Sequence, residues 1–328
     1  MLLLFLFFTL IKINLTSYQN VSFFRKNYYH HDVGKVLYLL SLDSYSRIPG
    51  QCISSNIPII STYSPLTKGK VICDKRGNKC SFFILIDSRA QNMIISISGA
   101  RSNYQFIQQL HSFTKGTLDF FKMGHVNSYI ANAHQCVWEI VKKFLKKKIF
   151  TNYSIILTGH SFGGAIAALT ALRIQISNYK KSNQIFLYTY GEPRFGTYLF
   201  AKNFDARIPN SFRVVYSTDI IPHLPPCKKL KKHRRRFHFF RTNYPCDERS
   251  LNSYYHHSTE VWYPKCCNRG CIIKVCKGYP KGEDSNCSNQ LNFNLTNIFK
   301  YKKYHRGYFN EYNYNNFGIV NQGFNLDC

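Results

Sequence analysis

The apolar N-terminus lacks the length that a transmembrane helix requires. The segment MLLLFLFFTLIKINLTS holds about ten consecutive apolar residues, roughly half of a membrane-spanning stretch. It also lacks Lys or Arg ahead of that run and an Ala-x-Ala cleavage site, yet its length fits the core of a secretory signal peptide. We therefore expect residues 1–17 to be a signal peptide and the protein to be secreted; an uncleaved anchor is the alternative. Sequons for N-glycosylation begin at Asn20, Asn152, Asn286 and Asn294.

Internal repeats and long linkers rich in Pro, Gly or Ser are also missing, so no strong domain boundary is expected within residues 31–328. The chain has 328 residues and is 45% hydrophobic, which is enough for a sizeable core and excludes a disordered or fibrous protein. We expect residues 18–328 to form a single domain.

Acidic residues are scarce, because 16 Asp and Glu face 44 Lys and Arg, which gives a formal net charge of +28. Such a charge favours polyanionic partners. It is concentrated between Lys228 and Arg241, and this basic loop is flanked by Cys227 and Cys246. This basic run is similar to a nuclear localisation signal, but the expected signal peptide argues against a nuclear location. We expect no nucleic-acid partner. We predict contact with an anionic membrane surface, with a solvated loop that has no specific partner as the alternative.

The twelve cysteines all follow residue 17, and an even, high count in an exported chain predicts disulfides. Short spacings suggest local pairs: Cys73 with Cys80, Cys227 with Cys246, and Cys276 with Cys287. The cluster Cys266, Cys267, Cys271 and Cys276 lacks paired Cys-x-x-Cys spacing, so neither a zinc site nor any cofactor is expected. Cys136 lies in a helical pattern and is a candidate free thiol.

Apolar, β-branched runs alternate with helical patterns along the chain. A helix is predicted over residues 129–145, where apolar side chains recur at steps of three and four and three lysines follow. Alternating strands and helices predict an α/β fold with a largely parallel sheet. The predicted strands are residues 81–87, 93–98, 153–158, 184–190 and 212–217.

A Gly-x-Ser-x-Gly pattern surrounds Ser161 in the stretch YSIILTGHSFGGAIAAL. It follows a predicted strand and opens a helix, as a nucleophile elbow does, and Gly159 and Gly163 avoid clashes in such a sharp turn. The free N–H groups at the start of the helix would lie beside a developing oxyanion. Ser161 is therefore a candidate nucleophile rather than a residue of a plain turn.

A serine nucleophile needs a histidine and a carboxylate, here expected in the chain order Ser, acid, His. Asp219 has the best local context, directly after a strand and before a proline-rich turn. Spacing alone does not choose between His256 and His257. The rival acids are Glu192, Asp205 and Asp247, and the other candidate histidines are His223, His233 and His238.

From Asp32 onward the chain resembles the class 3 lipase family of the α/β-hydrolase superfamily, and in particular its secreted, cysteine-rich animal members. The motifs that carry the resemblance are LLSLDSYSRIPGQC, TGHSFGGAIAAL, YTYGEPRFG, RVVYSTDIIPHLPP and YYHHSTEVWYP. It implies an α/β-hydrolase fold with disulfide-stapled loops and a lid at residues 103–123, although the apolar side chains there could equally pack in the core. Aligning the family's Glu-x-Trp with Glu260 and Trp262 places the catalytic histidine at His256.

The resemblance implies a triad of Ser161, Asp219 and His256, with an oxyanion hole formed by the backbone N–H groups of Phe162 and Ala100. Ala100 is a departure, because the family usually has Arg-Gly-Thr or Arg-Gly-Ser where this chain has Ser-Gly-Ala, so a supporting hydroxyl is missing. The expected activity is hydrolysis of acylglycerol esters at a lipid–water interface through an acyl-enzyme. Alternatives are a phospholipase A1, a short-chain carboxylesterase, or a catalytically weak lipid-binding protein on a lipase scaffold.

Overall fold

The computed structural model describes residues 27–48, 62–230, 245–250, 253–267, 270–277, 281–293, 301, 304, 305 and 307–309. The predicted signal peptide and most of the basic loop lie outside these residues. The helices are α1 (His31–Asp43), α2 (Asn103–Ser112), α3 (Ser128–Leu145), α4 (Phe162–Ile176) and α5 (Tyr198–Arg207). The strands are β1 (Ser64–Ile72), β2 (Lys79–Asp87), β3 (Asn92–Ile97), β4 (Thr117–Asp119), β5 (His125–Asn127), β6 (Ser154–His160), β7 (Ile185–Tyr190), β8 (Gly196–Thr197), β9 (Ser211–Tyr216), β10 (Tyr254–Tyr255), β11 (Thr259–Cys267) and β12 (Gly270–Val275).

An eight-stranded sheet has the order β1-β2-β3-β6-β7-β9-β11-β12. Its centre, from β3 to β11, is parallel, whereas β1 with β2, β2 with β3, and β11 with β12 pair antiparallel. The five predicted strands are confirmed as β2, β3, β6, β7 and β9, and the α/β architecture with them. A smaller sheet of β10, β8, β5 and β4 lies apart from the main one.

Helices cover both faces of the large sheet. The predicted helix is confirmed as α3, which begins where the Asn127 side chain accepts the Ile130 N–H at 3.1 Å and ends near Lys142 and Lys143. It packs with the alanine-rich α4 on one face, whereas α1 covers the other. Because β6 is sandwiched between these layers, its C-terminal end is held firmly where α4 begins.

Disulfides staple the loops around this core. The predicted pairs Cys73–Cys80, Cys227–Cys246 and Cys276–Cys287 are confirmed, and Cys266 pairs with Cys271. Cys136 is a half-buried free thiol. Within the described ranges, we find no helix with the length and apolar character needed to span a membrane.

Candidate active site

Ser161 lies in a sharp turn between β6 and α4. Its backbone is left-handed, with φ 59° and ψ −132°, a strained geometry for a residue with a side chain. A Cβ on Gly159 would clash with the backbone of Gly163, and one on Gly163 would clash with the Ile97 carbonyl, so the turn needs both glycines. Ser161 is 3% exposed, and its Oγ has no hydrogen-bond partner among the described residues. The turn thus has the geometry of a nucleophile elbow.

Asp219 is fully buried in the turn that follows β9. Its Oδ1 accepts the Ile221 N–H at 2.9 Å. Its Oδ2 lies 2.9 Å from Nδ1 of His305 and accepts the Tyr308 hydroxyl at 2.6 Å. These donors fix both carboxylate oxygens, and the one that faces an imidazole faces His305.

His305 is the histidine that the structure places beside the elbow. Its ring packs against the ring of His160, with centroids 4.4 Å apart, and its backbone carbonyl lies 2.6 Å from His160 Nε2. Its own Nε2 is buried and has no partner within the described residues. A Cβ on Gly191, which has φ +59°, would lie 2.7 Å from His305 Nδ1 and 2.9 Å from Asp219 Oδ2. Glycine therefore leaves the space in which acid and imidazole meet.

The structure does not bring His256 to Asp219 as predicted, because no contact joins these two residues in the described part of the chain. His256 Nε2 lies 2.5 Å from the carbonyl oxygen of Pro222, and its backbone N–H donates to Glu283 at 2.9 Å. Burial, followed by the charges of Arg213 and Arg194, holds the pKa of His256 well below its ordinary value. A neutral imidazole that donates to Pro222 supports the turn after Asp219 instead of taking a proton from a nucleophile.

His257, the neighbour that spacing could not separate from His256, also lies in a buried network of its own. Its Nε2 is 2.8 Å from Glu192 Oε1 and its Nδ1 is 2.6 Å from Ser258 Oγ. Its ring is 4.0 Å, centroid to centroid, from that of Phe204. Both histidines thus belong to the packing behind the site.

The segment predicted to hold the second oxyanion donor lies against the elbow. A Cβ built on Gly99 would be 3.2 Å from the Ser161 Cβ. The N–H groups on either side of Ala100 are both engaged: Gly99 donates to the Tyr45 hydroxyl at 2.9 Å, and Arg101 donates to Gln105 Oε1 at 2.8 Å. Ala100 is 3% exposed, and we find no acceptor for its N–H within the described residues.

The other predicted donor, the Phe162 N–H, belongs to the first residue of α4. The first N–H groups of a helix have no acceptor within it. Phe162 and Ala100 therefore remain the predicted pair of oxyanion donors next to Ser161.

A buried hydrogen-bond chain connects Gly99 and Ala100, which form the predicted oxyanion turn, to His305. His160 Nε2 faces the His305 carbonyl, so Nε2 carries the proton in a neutral ring and Nδ1 is an acceptor. The Tyr45 hydroxyl lies 3.0 Å from that Nδ1 and 3.2 Å from the His160 carbonyl oxygen, and it also accepts the Gly99 N–H. Neither His160 nor Tyr45 was among the site residues predicted from the sequence.

The predicted lid segment, residues 103–123, contacts the site from outside. Phe106 of α2 lies 6.4 Å from His305, and Phe113 lies 5.8 Å from Phe162, measured between ring centroids. Ile107 and Phe121 are 63% and 51% exposed, whereas Phe120 is buried. One apolar side of the segment therefore packs inward over the site while other apolar side chains face solvent, so features of both a lid and a core element are present.

The loop closed by Cys73–Cys80 is attached to the same helix. Arg76 Nη1 donates to the Tyr104 hydroxyl at 2.7 Å, and Asn78 Nδ2 donates to Gln108 Oε1 at 2.9 Å. These two bonds hold α2 in its position over the site.

Comparison with known proteins gives a consistent set of similarities. The model of the family described as lipase (class 3) matches residues 94–229. Lipase ZK262.3 of Caenorhabditis elegans is 34% identical over 281 residues, which are 86% of this chain and 79% of that protein. The lipase of Rhizomucor miehei is 31% identical over 200 residues, or 57% of this chain and 52% of that one. The structure of a fungal lipase–inhibitor complex superposes with a TM-score of 0.62 at 23% identity, covering 79% of this chain and 88% of the other.

Proposed function

Because the chain belongs to the class 3 lipase family and is thus a lipase-type ester hydrolase, we propose that it is a secreted enzyme that cleaves acylglycerol esters through Ser161, His305 and Asp219. The observation that carries the proposal is the 2.9 Å contact between Asp219 Oδ2 and His305 Nδ1. Nε2 of the same ring is buried beside the elbow and has no partner among the residues that the structure describes. The triad replaces the one expected from sequence, in which His256 was the base.

In the proposed mechanism Ser161 Oγ attacks the ester carbonyl carbon, and His305 Nε2 takes the hydroxyl proton. Asp219 accepts the Nδ1–H bond, which fixes the tautomer and stabilises the imidazolium that forms. The N–H groups of Phe162 and Ala100 bind the oxyanion. The imidazolium then returns its proton to the leaving alcohol, and an acyl-enzyme remains.

Water completes the cycle. His305 Nε2 takes a proton from a water molecule as its oxygen attacks the acyl carbonyl, and the proton passes to Ser161 Oγ when the fatty acid leaves. Ala100 contributes a backbone donor but no hydroxyl. Loss of a whole oxyanion donor costs about 2.7 to 4 kcal/mol of activation free energy, so loss of a supporting hydroxyl reduces the rate by less.

The natural substrate is proposed to be an acylglycerol at a lipid–water interface. A relative from Fusarium solani is named a secreted mono- and diacylglycerol lipase, which supports both the substrate class and secretion. The exposed apolar side chains of the 103–123 segment offer a surface for such an interface. The basic loop from Lys228 to Arg241 is proposed to add contact with anionic membranes.

A fluorophosphonate probe tests the triad without a choice of natural substrate. We expect covalent labelling at Ser161, and its loss in Ser161→Ala but not in Ser177→Ala, which removes an exposed hydroxyl at the end of α4. His305→Asn should abolish labelling, whereas His256→Asn should retain it in whatever fraction of the variant stays folded. Labelling that depends on His256 and not on His305 would refute the proposed base.

A further inference from the structure

Four cationic side chains lie at the edge of the large sheet that carries the elbow. Lys70 is near the end of β1, Lys79 begins β2, and Arg101 follows Ala100 just beyond the end of β3. Because β1 and β3 end where β2 begins, these positions share one edge. Arg47 joins them from the segment that follows α1.

Hydrogen bonds fix two of these side chains against neighbouring segments. The half-buried Arg101 guanidinium donates through Nη1 to Ser81 Oγ at 3.0 Å and through Nη2 to the Ser46 carbonyl at 3.4 Å. Ser81 is the cross-strand partner of Lys70. Lys70 Nζ in turn donates to the Arg47 carbonyl at 2.8 Å. These bonds join Arg101 and Lys70 to β2 and to the segment that carries Arg47.

Within the part of the chain that the structure describes, no acid offsets this charge. Among the described residues, none of the four cations forms an ion pair with a carboxylate. Asp74, the acid between β1 and β2, binds Asn78 and Tyr129 instead. Residues 49–61, which follow Arg47 closely in the chain, contain no Asp or Glu.

The uncompensated charges affect one another. Desolvation and then the charges of Arg101, Lys79 and Arg47 lower the pKa of Lys70. Like charges that act on one another raise the free energy of the protein, and an anion between them would reverse the sign of the interaction. A fixed guanidinium with ammonium groups beside it is a suitable set of donors for a phosphate.

We propose that Arg47, Lys70, Lys79 and Arg101 bind the phosphate of a phospholipid headgroup while an acyl ester of the same lipid lies at Ser161. The inference rests on the proposed function and adds glycerophospholipids, whose acyl esters are of the same kind, to the acylglycerols proposed as substrates. Arg101 directly follows the proposed oxyanion donor Ala100 in the chain, and the proposal therefore assigns a phosphate bound there to the lipid whose ester is being cleaved. A neutral acylglycerol would leave the four cations without a counterion.

The test removes two exposed lysines that do not belong to the buried core. The variant is Lys70→Gln/Lys79→Gln, and its matched control is Lys143→Gln/Lys146→Gln, which removes the same charge from exposed positions at the end of α3. Hydrolysis of phosphatidylglycerol and of a diacylglycerol is measured in the same neutral detergent micelles at constant ionic strength. Each cation near an anionic lipid is worth about fivefold in binding, so the ratio of the two kcat/KM values should fall about 25-fold in the variant. The control should leave the ratio within twofold.

A second arm separates this proposal from the catalytic one. Binding to micelles is measured in a Ser161→Ala background, because this measurement needs no turnover. We expect micelles with phosphatidylglycerol to bind more weakly once Lys70 and Lys79 are replaced. Inorganic phosphate should compete with that binding more strongly than chloride at equal ionic strength.

An unchanged ratio, an equal effect of the control pair, or binding of free phosphate without an effect on phosphatidylglycerol would each overturn the proposal. Failure of the proposed function is read separately, as absence of fluorophosphonate labelling at Ser161. The micelle-binding result stands whichever way that labelling turns out.

Discussion

Removal of the Tyr45 hydroxyl should slow catalysis although Tyr45 touches no substrate in the proposed mechanism. That hydroxyl accepts the Gly99 N–H at 2.9 Å and lies 3.0 Å from His160 Nδ1. His160 in turn holds the carbonyl of His305. Tyr45→Phe therefore releases the oxyanion turn from the segment that carries the base, while nearly all of the buried side-chain volume is kept.

The magnitude follows from what the substitution leaves behind. The buried Gly99 N–H and His160 Nδ1 each lose a partner, and a buried polar group without one costs about 1 to 3 kcal/mol of folding free energy. Complete loss of an oxyanion donor lowers kcat by about 10²- to 10³-fold. A turn that is displaced but retains the Ala100 N–H should lose less, so we expect kcat to fall about 10- to 100-fold with little change in KM.

The assay is steady-state hydrolysis of a short-chain ester, with Tm measured alongside. Tyr153→Phe is the matched control, because Tyr153 is a buried tyrosine at the opposite end of β6 from the elbow. A merely structural role for Tyr45 would lower Tm and leave kcat of the folded fraction unchanged. A kcat within twofold of the parent would refute the coupling of Tyr45 to the site.

Two further predictions concern the lid segment and the buried histidines. Loss of the bonds from Arg76 and Asn78 in Arg76→Ala/Asn78→Ala should favour opening of α2 by about 1 to 3 kcal/mol. Hydrolysis of a monomeric soluble ester should then increase at least twofold, and the factor by which micelles stimulate hydrolysis should decrease. An unchanged factor would contradict the idea that these two bonds hold α2 closed. Burial, with a smaller effect of Arg173, lowers the pKa of His134 to about 3. The fold favours the neutral form of His134. Its contribution to the free energy of unfolding is therefore fully present above pH about 6.5 and falls by about 1.4 kcal/mol per pH unit below that value. Urea unfolding at pH 7 and pH 5 should show this loss reduced in His134→Asn, and an equal loss in both proteins would contradict the assignment.

The parts of the fold that sequence could predict are those with a strong local signal. The strands at 81–87 and 153–158 are continuous apolar runs, and the helix at 129–145 has a clear apolar periodicity, so each is specified by its own residues. The elbow at Ser161 is similar, since the two flanking glycines and the strand before them lie within a few positions. Asp219 was predicted to be the acid of the triad because it directly follows a strand.

His305 had no such signal. It follows Ser161 and Asp219 in the chain, as the expected order requires, but the segment around it is short and carries no strand or helix pattern. The catalytic histidine was predicted among the two adjacent histidines in YYHHSTEVWYP because they precede Glu260 and Trp262. The choice of histidine depends on the tertiary contact of Asp219 with His305, which lies 86 positions away in the chain. No local periodicity of the sequence indicates such a contact. Tyr308 lies three residues beyond His305 and donates to the same carboxylate. The pair of a histidine and a tyrosine at this spacing is the sequence signal that could have indicated His305.

The site therefore divides into a rigid centre and an adjustable rim. Asp219, His305, His160, Tyr45 and Gly99 come from separate segments and are joined by buried hydrogen bonds, so displacement of any one of them reaches both the base and the oxyanion turn. The rim, which comprises the lid segment and the cations around Arg101, carries exposed side chains such as those of Ile107, Lys70 and Lys79. Changes in the centre should lower the rate for every ester, whereas changes at the rim should alter which lipid reaches Ser161.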